Sequence, residues 1–300
     1  MHDFLHNLDW VIPLRSNFLT PVMEFFTALG YMIFFVLALP ILYWTWNKSA
    51  TNRLAVVLLV SAVVNYFLKD WIQDPRPPVE MRVDGHEPSS NGLPSGHTQL
   101  AIVFWGWIAH EIGKKWAWIA GGIIAFSIAF SRLYLGVHDV EDVLGGAILG
   151  IGGLLLFRWM VTPRFHFWRE MRYPVRVGIA AVALTIVLLL WRDGPAPDKA
   201  VLMGAFLVGW LAGVGLERRH VDFVKIHRVR TVVAAVFGLV LIYGMAKGLG
   251  PLFKATGLGS IPSHAIAGLI MGVFITFCAP WLFTRLRLKK PTISPKLPDA

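Results

Sequence analysis

The sequence predicts an all-α membrane protein, a polytopic helix bundle that crosses the bilayer several times. Of its 300 residues, 56% are hydrophobic and only 15% are charged, whereas charged residues make up about 25% of a typical soluble domain. Several apolar stretches reach the roughly 18–20 residues that span a bilayer. These stretches are continuous, so they do not resemble the alternating segments of about ten residues that form an outer-membrane barrel.

Nine membrane spans are predicted, in residues 22–46, 53–72, 97–111, 116–136, 140–160, 176–192, 198–216, 231–249 and 262–284. Trp and Tyr side chains favour the boundary between membrane and water, and several spans end near one, as at Trp71 and Trp116. The glycines of the span 140–160 predict close helix packing rather than chemistry.

The distribution of Lys and Arg predicts the orientation in the membrane. Nineteen of the 28 Lys and Arg residues fall in or beside the loops that follow the first, third, fifth, seventh and ninth spans. Because such loops stay in the cytoplasm, we expect a plasma-membrane protein with its N-terminus outside and its C-terminus inside. The basic tail 285–296 then lies beside anionic lipid, so the net charge of +10 does not require nucleic acid as a partner.

Polar residues collect at one side of this predicted bundle. The connection 73–96 is long and rich in proline, and long loops in compact proteins are often functional. Because consecutive spans alternate in direction, several helix ends beside this loop share the outer face. The residues placed there are Lys69, Arg76, Ser95, Gly96, His97, Arg132, His138 and Asp142.

This combination suits a phosphate group. Lys and Arg bind phosphate oxygens, and the guanidinium fork can bind two of them. Ser95 and Gly96 precede a helix start, where free backbone N–H groups and the helix dipole favour an anion. Gly96 also lets the backbone approach a ligand closely.

The spacing of His138 and Asp142, four residues apart, places both on one helix face. A carboxylate on one imidazole nitrogen fixes the tautomer and leaves the other nitrogen free to attack. His97 can act as the general acid that protonates a leaving oxygen. We therefore expect phosphoryl transfer through a phosphohistidine, without a metal or cofactor, because Lys and Arg stabilise the charge. The single cysteine, Cys278, allows neither an intrachain disulfide nor a cysteine metal site.

Three segments together resemble the signature of the type 2 phosphatidic acid phosphatase (PAP2) superfamily. They are Lys69-x6-Arg76-Pro77, Pro94-Ser95-Gly96-His97 and Ser131-Arg132-x5-His138-x3-Asp142. The resemblance implies a metal-independent lipid phosphatase with an outward-facing site. It also implies phosphate binding by Lys69, Arg76, Ser95, Gly96 and Arg132, with His97 as acid, His138 as nucleophile and Asp142 as its partner.

The resemblance further implies a six-helix core. We therefore divide the chain into a catalytic membrane core at 1–192 and about three additional C-terminal transmembrane helices with a basic tail at 193–300. The expected substrate is a lipid phosphate or diphosphate: an isoprenyl diphosphate, phosphatidic acid, phosphatidylglycerophosphate or a lipid A phosphate. His86 and Glu87 in the long loop are possible substrate contacts.

Other functions use the same residues. A lipid phosphotransferase would pass the phosphoryl group to an acceptor other than water, and a transporter of anionic lipid or phosphate would use the cations without turnover. The His138–Asp142 spacing argues against transport, since binding alone needs no oriented nucleophile. A vanadate haloperoxidase, also known for this superfamily, is soluble, whereas this chain is strongly apolar.

Each residue also has a simpler interpretation. Lys69 and Arg76 can extend to lipid headgroups, Ser95 can cap a helix, and Arg132 can form a structural ion pair with Asp142. The prediction of a phosphate site would be wrong only if all of these interpretations held together.

Overall fold

A computed structural model describes residues 5–83, 90–161, 171–191, 197–224, 228–288 and 290–291. The helices are α1 (Leu19–Ala28), α2 (Met32–Thr45), α3 (Lys48–Ile72), α4 (Gly96–Ile112), α5 (Lys115–Tyr134), α6 (Val140–Met160), α7 (Tyr173–Leu189), α8 (Pro197–His220), α9 (Arg228–Ala255), α10 (Ser260–Val273) and α11 (Ala279–Arg285). A π-helical turn at Phe274–Cys278 joins α10 to α11. Two short strands, β1 (Phe223–Val224) and β2 (Lys290–Pro291), pair antiparallel.

These helices confirm the all-α membrane fold, and the protein is a multipass membrane protein. Among the described residues, six helices are long and apolar enough to cross a bilayer, with α10, the π turn and α11 counted as one. The first predicted span differs from the expectation, since α1 and α2 are bent by 56°. Gly30 lies at this break, and a Cβ there would be 2.6 Å from Cδ2 of His97. The break therefore allows the α1–α2 backbone to pass close to a predicted site residue.

The chain forms two compact units, each made of discontinuous segments. The first contains Met1–Val36, Val56–Glu170 and Val187–Ala200, and the second contains Leu37–Ala55, Met171–Ile186 and Val201–Ala300. The functional division between residues 192 and 193 stays a prediction.

In the first unit, α4 packs against both α5 and α6, and α1 packs against α5. Glycines of α6 permit this contact: a Cβ at Gly150 would lie 2.9 Å from the carbonyl oxygen of Gln99, and Gly146 lies against the carbonyl of Ser95. The close helix packing predicted from these glycines is confirmed at both positions, although Gly152 faces open space. As a result, the N-terminal ends of α4 and α6 lie side by side.

In the second unit, buried polar contacts join distant parts of the chain. The indole N–H of Trp44 donates to the carbonyl of Ile275 at 2.9 Å. The ammonium of Lys48 donates to Glu217 at 3.0 Å and to Asp222 at 2.8 Å. Glu217 is fully buried, so this ion pair compensates a carboxylate that would otherwise be costly to bury.

Candidate active site

The helix ends and loops of the first unit enclose a cavity of about 490 Å³. Six of the predicted site residues line it: Lys69, Arg76, Gly96, His97, Arg132 and His138. Ser95 and Asp142 are fully buried behind these residues. His86 and Glu87, the possible substrate contacts, lie outside the described residues. The structure thus brings together residues from the three separate segments of the signature.

His138 lies in the loop between α5 and α6, and its Nδ1 donates to Oδ2 of Asp142 at 2.7 Å. The start of α6 fixes this carboxylate. Asp139 is the N-cap of the helix, and its Oδ1 accepts from the N–H of Asp142 at 3.0 Å, while Oδ2 of Asp142 accepts from the N–H of Asp139 at 3.4 Å. This reciprocal capping box holds Asp142 in place. Since Nδ1 of His138 is occupied, Nε2 is the ring nitrogen left for chemistry.

The surroundings of His138 keep its imidazole neutral. Burial lowers the pKa of His138 well below its ordinary value of 6.5, and the nearby cations Arg76, Lys69 and Arg132 lower it further. Both causes disfavour a second positive charge on the ring. A neutral imidazole at neutral pH retains the lone pair that a nucleophile requires.

His97 occupies the first turn of α4. Its ring packs edge-on against Tyr31, with ring centroids 4.8 Å apart at an angle of 75°, and it also lies against the backbone at Gly30. Its Nε2 is buried and has no hydrogen-bond partner among the described residues. A buried ring nitrogen without a partner, on a side chain that lines the cavity, is available to a bound ligand.

Arg132 lies in the last turn of α5, where its Nη1 donates to Oγ1 of Thr27 at 2.6 Å. Thr27 also accepts from Oγ of Ser131 at 3.0 Å, and Nε of Arg132 has no hydrogen-bond partner among the described residues. No ion pair joins Arg132 to Asp142, whose Oδ2 bonds to His138 instead. The guanidinium is therefore oriented by a hydroxyl, which leaves its charge uncompensated.

Lys69 and Arg76 are held by backbone carbonyls of residues 90–92 and of Val137. Lys69 donates to the carbonyl of Asn91 at 2.7 Å and to that of Gly92. Arg76 donates through Nε to the carbonyl of Ser90 at 2.7 Å and through Nη1 to that of Val137 at 2.9 Å. Lys69 is only 4% exposed, so it does not extend to lipid headgroups. Neutral carbonyls position both cations without cancelling their charge.

Ser95 takes a different position from the one expected of an anion-binding amide. Its N–H donates to the carbonyl of Asp142 at 2.9 Å, and its hydroxyl accepts from Oγ1 of Thr98 at 3.2 Å. The Ser95 amide thus ties α4 to α6. Gly96 does line the cavity, and a Cβ there would lie 2.9 Å from Oδ1 of Asn65, so a larger residue would displace the Asn65 side chain.

Polar residues that the sequence did not single out also line the cavity, among them Thr27, Tyr31, Asn65 and Lys199. Asn65 could have been found, because it precedes Lys69 by one helical turn and is polar within an apolar span. Thr27 carries no such signal, since a threonine hydroxyl in a membrane helix commonly bonds to its own backbone.

The N-terminal segment reaches the start of α6. Nδ1 of His6 donates to Oδ2 of Asp139 at 2.7 Å, and its Nε2 lies 3.3 Å from Glu141. The hydrogen bond to Asp139 raises the pKa of His6 above its ordinary value.

Within the described residues, no group of three His, Cys, Asp or Glu side chains could hold a metal ion.

Comparison with known proteins gives two family matches. Residues 50–166 match the PAP2 superfamily, and residues 201–291 match the transmembrane extension of PAP2 superfamily phosphatases. A phosphatidylglycerophosphatase B of Bacillus subtilis is 35% identical over 157 residues, which cover 48% of this chain and 74% of that protein. A sphingosine-1-phosphate phosphatase 2 of Mus musculus is 30% identical over 143 residues, which cover 45% of this chain but only 40% of that protein.

A solved structure is also similar to part of the chain. It is a transmembrane PAP2-type phosphatidylglycerolphosphate phosphatase from Bacillus subtilis, 27% identical, with a TM-score of 0.46. The match covers 52% of this chain and 84% of the solved one.

Proposed function

The chain belongs to the PAP2 superfamily and is a phosphoric monoester hydrolase of the membrane, and we propose that it removes the terminal phosphate from a lipid phosphate or diphosphate. The observation that carries this proposal is the hydrogen bond of 2.7 Å between His138 and Asp142 at a cavity lined by Lys69, Arg76 and Arg132. Binding alone needs cations, whereas catalysis also needs an oriented nucleophile.

The proposed first step forms a phosphohistidine. The lone pair on Nε2 of His138 attacks the terminal phosphorus, and the bond from phosphorus to the lipid oxygen breaks. That oxygen keeps the bonding electrons and takes the Nε2 proton of His97, which starts this step as the imidazolium and becomes neutral. Asp142 stabilises the positive charge that develops on the His138 ring.

The second step hydrolyses the intermediate. A water oxygen attacks phosphorus, the phosphorus–nitrogen bond breaks, and His138 recovers its lone pair. His97 accepts a proton from the water, so both histidines return to their starting states and inorganic phosphate leaves. Lys69, Arg76 and Arg132 stabilise the charge on the phosphoryl oxygens in both transition states. We expect no metal ion to be required.

We place the site at the outer face of the plasma membrane, with the N-terminus outside and the C-terminus in the cytoplasm. The asymmetry of Lys and Arg between alternate loops supports this orientation. A single cysteine introduced at Glu87, in a Cys278→Ser background, tests it. An impermeant thiol reagent should label this cysteine in intact cells, and labelling only after the membrane is opened would invert the orientation.

The experiment that tests the function measures phosphate release by the purified protein. The substrates are lipid mono- and diphosphates, EDTA is present throughout, and His138→Ala is the inactive variant. His264→Ala is the matched control, because that histidine bonds to its own helix through the Ser260 carbonyl. We expect release from at least one lipid in the wild type and in the control, and none with His138→Ala. Transfer of phosphate to an added alcohol instead of water would indicate a phosphotransferase.

A further inference from the structure

Lys199 lines the same cavity as the two histidines, although it lies in the first turn of α8. It falls between the two family matches, which end at residue 166 and begin at residue 201. The compact unit that holds the catalytic residues includes it. The C-terminal region 193–300, for which the sequence predicted no role, therefore supplies a side chain to the site.

Trp191, between α7 and α8, is anchored to α3. The indole N–H of Trp191 donates to Oδ2 of Asp70 at 3.1 Å, and its ring packs edge-on against Phe67, with centroids 5.5 Å apart. Asp70 is adjacent to Lys69, which lines the cavity. These contacts hold Trp191 beside the helix that carries Lys69, in the same compact unit as Lys199.

The cations of the cavity differ in depth. Lys69 and Arg132 are 4% and 5% exposed, whereas Arg82 is half-buried and Lys199 is exposed. We call Arg82 and Lys199 the rim. Lys199 forms no ion pair with any described residue, so its charge is available to a ligand.

The charge of the cavity exceeds what one phosphate monoester can neutralise. Among the described residues, five cations and one carboxylate line it: Lys69, Arg76, Arg82, Arg132, Lys199 and Glu24. A phosphate monoester brings a charge of about −1.5 to −2 at neutral pH. The three cations beside the histidines already exceed that charge, which leaves the rim to a second anionic group.

We propose that the rim is a second phosphoryl subsite, and that Lys199 selects lipids that carry another phosphoryl group beside the one removed. This inference rests on the proposed function. The terminal phosphoryl group reaches His138, and the phosphoryl group that stays with the lipid contacts Lys199 at the rim. The chemistry fits either a diphosphate or a monoester joined through a short linker to a phosphodiester.

Glu24 would favour a different substrate, one that carries an ammonium group. It is the one carboxylate among the described residues that line the cavity, and it has no ion-pair partner within that part of the chain. A substrate with an ammonium group near its phosphate would pair with Glu24 and would be repelled by Lys199. The two side chains therefore favour different lipids, which makes them separable by experiment.

The test compares two pairs of substrates: farnesyl diphosphate with farnesyl monophosphate, and phosphatidylglycerophosphate with phosphatidic acid. We expect the wild type to prefer the doubly phosphorylated member of one pair, and that pair identifies how the second group is attached. Lys199→Gln should lower this preference in kcat/KM about tenfold, the size expected when one charge-assisted hydrogen bond is lost. Lys199→Arg should retain the preference. Lys254→Gln, the same substitution at an exposed lysine outside the cavity, should leave it unchanged.

Two results would overturn the inference. The first is that Lys199→Gln releases phosphate with the same preference for the doubly phosphorylated lipid as the wild type. The second is a preference for sphingosine 1-phosphate, an amine-bearing monophosphate, that Glu24→Gln abolishes. If the wild type releases no phosphate from any of these lipids, the proposed function fails and the inference fails with it.

Discussion

The guanidinium of Arg132 donates to the hydroxyl of Thr27 at 2.6 Å, which ties a cation of the family signature to a helix outside the matched segment 50–166. Thr27 lies on α1 and is buried. Because the hydroxyl is the partner that orients Arg132, the first helix takes part in shaping the phosphate site.

Thr27→Val therefore tests whether this orientation matters. Valine keeps the shape of threonine but removes the hydroxyl, and a hydrogen bond to a charged group contributes about 1.5–3 kcal/mol. We expect kcat/KM for phosphate release to fall by about tenfold or more with the fold intact. Thr185→Val is the control, because that hydroxyl bonds only to its own helix through the Ala181 carbonyl. Equal activity of both variants would show that the Thr27 hydroxyl does not contribute to the phosphate site.

Asp142→Asn tests the tautomer of His138. An amide nitrogen facing Nδ1 favours the wrong tautomer, and the corresponding change in a serine protease triad lowers kcat by about 10⁴-fold. We expect a loss of about 10³-fold or more in kcat, with Asp139 still capping α6. Glu141→Gln, a neighbouring change on the same turn, should keep most of the activity. An active Asp142→Asn enzyme would contradict the assigned role.

The pH dependence of kcat/KM follows from the lowered pKa of His138. The neutral ring is the active form, so activity should persist as the pH falls below 6.5 and decline only near the lower pKa of the folded protein. The free energy of unfolding should also fall as the pH drops below 6.5, because the unfolded chain then binds a proton that the folded protein does not. A profile of kcat/KM against pH with its acidic midpoint above 6.5 would contradict this environment.

His97→Ala should affect substrates unequally. Hydrolysis of a lipid monophosphate expels an alkoxide that needs protonation, whereas hydrolysis of a diphosphate expels a phosphate group that leaves more readily. If His97 is the general acid, its removal should lower kcat about 10²-fold or more for farnesyl monophosphate and clearly less for farnesyl diphosphate. Equal losses on both substrates would point to a binding role for His97.

His6 gives a prediction about stability. Its contacts with Asp139 and Glu141 raise its pKa, so the stabilisation is fully present below the ordinary value of 6.5 and is lost as the pH rises through the raised value. The effect should be small because the side chain is 42% exposed. Thermal unfolding of His6→Gln and wild type should differ at pH 6 and converge at alkaline pH; a difference that persists there would have another cause.

The sequence predicted the helices well because long apolar runs report directly on membrane spans. It did not predict the bend between α1 and α2, since the run 22–46 is continuous in hydropathy and Gly30 alone does not signal a break. Leu8 and Val11 of the N-terminal segment are buried against Leu133, a contact between distant residues that hydropathy does not specify.

The signature residues of the site could be predicted because the alternation of helix direction assigns each helix end to a side of the membrane. The same reasoning gives no distances, so it could not find Thr27 as the partner of Arg132 or Lys199 at the rim. Ser95 shows the reverse case. Its position beside the site was predicted, but only the structure reveals that its amide bonds to Asp142.

Trapping the intermediate tests the proposed mechanism most directly. The protein is mixed with a substrate labelled with ³²P in its terminal phosphate, quenched in base within milliseconds and digested for mass spectrometry. We expect a base-stable, acid-labile phosphoryl group on His138, absent from His138→Ala and more abundant in His97→Ala if the second step is slowed. A phosphoryl group on another residue, or full turnover by His138→Ala, would contradict the assignment of His138 as the nucleophile.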